Sequence, residues 1–196
     1  MKGSCGLRGS ACRPPLEDSV IYGSGLRIPQ QQTKRKIFIS YHHGGDQAYY
    51  DWFSRVFGGV YDVIYDNSLE RKVDSEDTTY VMRRIREHYV TGSSCTVVLV
   101  GRDTWGRKYV DWEILATLEK QHGLIGVRLP TALVNARNNV TVPGRLYDNF
   151  ASRYALWVTW NMLMQNPQNL PKMVEDANGR PKNLICNDRA RLMRNA

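Results

Sequence analysis

The chain has 196 residues, 42% of them hydrophobic, and a formal net charge of +8. That suits one domain with a core and some extension left over, and no stretch reaches the roughly 20 apolar residues of a membrane helix. The charge fits either a phosphate-bearing partner or a plain basic surface. No helix-turn-helix, zinc or RNP-type signature accompanies it, which argues against nucleic acid.

Residues 1–33 are rich in Gly, Ser, Pro and Gln and lack periodicity, so they read as a flexible N-terminal extension. The opening MKGSCGLRGSACRPP has basic residues but no apolar core, unlike a signal peptide. Cys5, Cys12, Cys95 and Cys186 form no CxxC pair. Free thiols in a reducing cytoplasm are the simple expectation.

Lys34 to Tyr41 reads as a first strand built on Ile37-Phe38-Ile39, a run without polar alternation that suits a parallel sheet covered on both faces. It ends in Ser40-Tyr41-His42-His43-Gly44-Gly45-Asp46, a tight loop with Asp46 as the expected N-cap. His42 and His43 do not read as a metal pair, because adjacent side chains diverge and no third ligand presents itself. A helix to Phe57 follows, with Tyr49, Tyr50, Phe53, Val56 and Phe57 at helical spacing. Val60 to Tyr65 is a second strand. Asp66 to Asp74 is a polar loop, and Asp66 stands at the carboxyl end of that strand, where ligands of open α/β sheets bind. A turn or capping role fits Asp66 equally well. A helix to about Tyr89 comes next, with a basic face of Arg83, Arg84 and Arg86.

Cys95 to Val100 is a buried strand ended by Gly101. The loop after it holds Trp105, Arg107 and Lys108. A helix then places Val110, Ile114, Leu115 and Leu118 on one face, with Asp111 and Glu113 near the favourable N-terminal dipole. Leu124 to Pro130 is a fourth strand, residues 131–150 an irregular insertion, and Tyr154 to Trp160 a fifth strand. Leu170 to Ala177 is a short helix, and 179–196 reads as a basic tail. The alternation predicts a flavodoxin-like, doubly wound parallel sheet of about five strands with flanking helices, spanning 34–178.

Two boxes, in order and on the expected elements, carry a resemblance. Lys36-Ile37-Phe38-Ile39-Ser40-Tyr41 looks like the first strand of TIR domains, and Tyr109-Val110-Asp111-Trp112-Glu113 resembles their aromatic-x-x-x-Glu box. The span from about Arg35 to Trp160 resembles the TIR-like proteins of Thoeris anti-phage systems. The resemblance implies a TIR-like fold and an NAD-processing enzyme that cleaves the nicotinamide–ribose bond. Glu113 would be its catalytic carboxylate, and NAD the substrate, with no cofactor and no metal. It places Ser40, Tyr41 and His42 at the pocket. The loop before Glu113 offers Arg107 or Lys108 to the pyrophosphate of a dinucleotide, and Trp105 or Trp112 to stack on a ring. Its implied partners are further copies of the chain, a phage-derived trigger, and a separate effector reached through a cyclic ADP-ribose-type signal. The alternative is a non-catalytic TIR-type interaction module assembling through 66–74. Tyr109 and Val110 depart from the Trp-Cys of many catalytic TIR domains, while Glu113 is retained.

Overall fold

A computed structural model describes residues 35–65, 78–136 and 139–196. The expected extension at 1–33, and the loop at 66–74 with Asp66, lie outside the described residues. Five strands form one parallel sheet: β1 (Arg35–Ser40), β2 (Tyr61–Tyr65), β3 (Ser93–Val100), β4 (Gly123–Arg128) and β5 (Leu156–Thr159). Their order is β2-β1-β3-β4-β5. The chain reverses its direction of travel across the sheet between β1 and β3, the switch point where such folds hold ligands.

Side-chain alternation explains the apolar strands. Ile37, Ile39, Val97, Leu99, Ile125 and Val127 face one layer. That layer is α1 (His43–Phe57), α5 (Trp160–Gln165) and α6 (Leu170–Asn178). Phe38, Val98, Val100 and Leu124 face the other. It holds α2 (Thr78–Arg84), α3 (Lys108–Glu119) and α4 (Gly144–Ala151). Past Arg84 the helix widens to a π turn over Ile85–Val90, and the Thr91 N–H reaches the Arg86 carbonyl at 3.1 Å.

Four expectations change. The first helix begins at His43, and Asp46 lies in its first turn instead of capping it. The 131–150 insertion contains α4, which starts after Pro143. Trp160 opens α5 instead of ending the fifth strand. The 179–196 segment lies against the domain as a strap over α3 and α4. The Trp112 indole N–H donates to the Leu192 carbonyl (2.8 Å), and the Lys108 N–H donates to Asn195 Oδ1 (3.0 Å). Asn149 grips Cys186 twice, its Nδ2 donating to the carbonyl and its Oδ1 accepting the N–H.

Candidate functional site

The register of the sheet sets Glu113 and Ser40 at one level along the strands. Thr117 on α3 and Thr96 on β3 share a hydrogen bond between hydroxyls at 2.7 Å. Glu113 is one helical turn from Thr117 toward the N-terminus of α3, about 6 Å along the axis. Val98 is two residues from Thr96 toward the carboxyl end of β3, a similar advance of about 6.6 Å. The two elements run in opposite directions, so both steps climb to the same level of the sheet. Ser40 is the register partner of Val98. Alternation points Ser40, like Phe38, toward the α3 layer. Phe38 packs there with Trp112, Leu115 and Ala116. Glu113 is 6% exposed and Ser40 is 1% exposed. The Ser40 hydroxyl has no hydrogen-bond partner among the described residues.

The other expected contacts divide. Tyr41 belongs to the opposite layer, stacked on Tyr50 at 4.9 Å, with its hydroxyl donating to Gln47 Oε1. Trp112, expected to stack on a ligand ring, is 3% exposed, in the α3 core, and held by Leu192. A side chain buried on both faces offers no open face, so the stacking role passes from it. Trp105 is more than one-third exposed in the short turn before α3, and Arg107 is half-buried at that helix's N-cap. Lys108 lies over the Tyr109 and Trp112 rings at 4.9 and 5.7 Å.

His42 contributes to a different feature, a cleft of about 160 Å³ beyond the strand ends. Gly45, Asp46, Arg102, Asp103 and Thr131 line it with His42. The His42 ring lies against Gly44 and Gly45, where a Cβ would approach it to 3.1 and 3.4 Å. His43 turns away to Gln47 and Tyr41, so the two imidazoles diverge. Asp46 is buried beneath the cleft and accepts hydrogen bonds from Thr131 (3.2 Å) and Thr104 (3.3 Å). The loop after β3 passes so close that a Cβ on Gly101 would strike the Asp46 carboxylate, and glycine alone fits there. Burial pushes the Asp46 carboxyl above its ordinary value, while the two threonines and His42 pull it back. Sequence reasoning missed Thr104 and Thr131, because nothing in their local pattern says that two loops meet over one carboxylate.

The parallel sheet, its strand order and its switch point define a doubly wound α/β domain of the flavodoxin-like kind. Residues 38–133, just under half of the chain, match the family model for the Thoeris protein ThsB, TIR-like domain, the family this chain resembles. No curated protein matches the chain. Similar solved structures include the TIR domains in the structure of the activated Roq1 resistosome directly recognizing the pathogen effector XopQ. Identity is 16% over 50% of this chain, with a TM-score of 0.35. This chain covers 58% of that one.

Proposed function

We propose that this TIR-like domain cleaves the nicotinamide–ribose bond of NAD and makes a cyclic or linear ADP-ribose signal. In this reading it serves anti-phage defence by activating a separate effector. What supports the reading is the placement of Glu113 and the unpartnered Ser40 hydroxyl at one level of the sheet, beside the switch point. The bond between nicotinamide N1 and ribose C1′ breaks, and its electron pair leaves with the ring, which departs neutral. Positive charge develops on the ribose as an oxocarbenium ion. A fixed carboxylate at Glu113 stabilises that charge without a metal. The Ser40 hydroxyl supplies a hydrogen bond to the same ligand. Water adding at C1′ gives ADP-ribose and a proton, whereas an internal nucleophile closes the ring instead.

One observation favours the interaction module as a second reading. Tyr41 and Trp112, two of the aromatic residues expected at the pocket, are both spent in the core.

NAD is incubated with the wild-type chain, Glu113→Gln and Ser40→Ala, both purified and in lysates of phage-challenged cells, and the nucleotides are separated by chromatography. The enzymatic reading expects NAD loss with a new ADP-ribose species, absent in Glu113→Gln and reduced in Ser40→Ala. Equal turnover in Glu113→Gln removes that residue from the chemistry. Absence of turnover in every setting, with assembly demonstrated, favours the module.

A further inference from the structure

A second cavity, of about 430 Å³, lies on the β4–β5 side of the molecule. No residue of β1, α3 or the loops after β1 and β3 lines it. Its base is set by a glycine. Trp157 of β5 is the register partner of Gly126 of β4, and a Cβ on Gly126 would sit 2.6 Å from the indole. The indole therefore occupies the space that any other residue would fill. Phe150 of α4 stands 6.2 Å from Trp157, tilted by 56°. Tyr147 and Phe150 are 57% and 47% exposed. Val140 and Asn139 add the segment before α4. Arg128, the last residue of β4, reaches the same cavity half-buried. Among the described residues its guanidinium has no ion-pair or hydrogen-bond partner, and no carboxylate lines the cavity.

The geometry points to a binding site for a planar aromatic ring that carries an anionic group, of mononucleotide size. The ring stacks among Trp157, Phe150 and Tyr147, whose faces accept any nucleobase. The anion meets Arg128, whose planar fork matches phosphate or carboxylate. The Asn139 amide offers a donor and an acceptor for the ring's edge. The volume falls within the range of about 300–1,000 Å³ that small-ligand pockets occupy. A purely apolar occupant would leave the guanidinium without a counter-charge, and a bare phosphate would leave three rings uncovered. The chain's net charge of +8 favours the approach of an anion. This site is independent of Glu113.

The test is calorimetric titration of the full chain with AMP, adenosine and inorganic phosphate. The proteins are wild type, Arg128→Gln, Phe150→Ala and Glu113→Gln, with circular dichroism checking each fold. Arg128 and Phe150 are only partly buried, so neither change threatens the core. Saturable one-to-one AMP binding is expected. Arg128→Gln and Phe150→Ala should each weaken it about tenfold, and Glu113→Gln should leave it unchanged. Adenosine and phosphate alone should each bind about tenfold more weakly or worse. Absence of saturable AMP binding overturns the proposal, as does AMP binding indifferent to both cavity variants. Loss of binding in Glu113→Gln alone reassigns AMP to the Glu113 site and also overturns it.

Discussion

Arg145 Nε lies 3.0 Å from Asp111 Oδ1, and the two side chains are 0% and 3% exposed. The guanidinium spends its other donors on the strap. It donates to Asn187 Oδ1 and to the Arg189 carbonyl, each at 2.7 Å. Asp111 in turn accepts the Leu192 N–H at 3.0 Å. One ion pair therefore joins α3, α4 and residues 187–192. Removing one partner leaves a buried charge without compensation. Arg145→Met or Asp111→Asn should each cost about 3–5 kcal/mol in denaturant unfolding. The double variant should cost less than the sum of the singles, and strict additivity would refute the coupling. The Arg189–Asp148 pair is partly exposed at 47% and 29%, so Arg189→Ala should cost no more than about 1 kcal/mol.

Asp46 predicts the sign of a pH effect. Burial raises its folded pKa above the ordinary 3.8. A raised acid contributes stability that is fully present below about pH 3.8 and is lost as pH rises through the folded value. Asp46→Asn keeps an acceptor for Thr131 and removes the titration. The variant should gain stability relative to wild type as pH climbs from 4 to 7. Denaturant midpoints at both pH values measure this, and a difference that does not change with pH would contradict it.

The two described cysteines should react at very different rates. Burial pushes the Cys95 thiol up to about 12, so it carries almost no thiolate at neutral pH. Cys186 is only partly buried, on the strap. Alkylation of native protein followed by peptide mass mapping should label Cys186 and spare Cys95 until denaturant is added. Prompt labelling of Cys95 would contradict its place in the core.

Gly126→Ala drives a methyl group into the Trp157 indole. Overpacking of this kind costs about 1–3 kcal/mol. A lower midpoint with altered Trp fluorescence is expected, and an unchanged protein would mean that the indole has room to move.

β1, β3 and β4 were legible because their central residues are buried on both faces, which leaves a non-alternating apolar run in the sequence. Ile37-Phe38-Ile39 and Val97-Val98-Leu99-Val100 carry that signature, and the helix after β3 carried its own 3.6-residue period. The place of Glu113 on that helix was therefore readable, but its level beside Ser40 needed the strand register. Arg145 was missed. In Gly144-Arg145-Leu146-Tyr147-Asp148-Asn149-Phe150 the short apolar period of Leu146 and Phe150 is diluted by buried polar residues. The strap was read as a tail because it docks mainly through backbone carbonyls and amides, which every residue type possesses. Trp112 and Tyr41 were given ligand roles because an aromatic residue beside a candidate site looks the same in sequence whether it packs inward or outward.

The strap also sets a time order for biosynthesis. Trp112 and Leu192 are 80 positions apart, and Lys108 and Asn195 are 87 apart. At the usual pace of translation, 80 residues take roughly 4–16 s. Through that interval Asp111 waits on the ribosome without the Leu192 amide, and Arg145, 44 positions before Arg189, waits about half as long for the carbonyls that complete its shell. A nascent chain stalled before residue 187 should therefore carry a native-like sheet beneath a loosely seated α3. The domain closes only when its last described segment emerges, and chaperones have their clearest opportunity to bind before then.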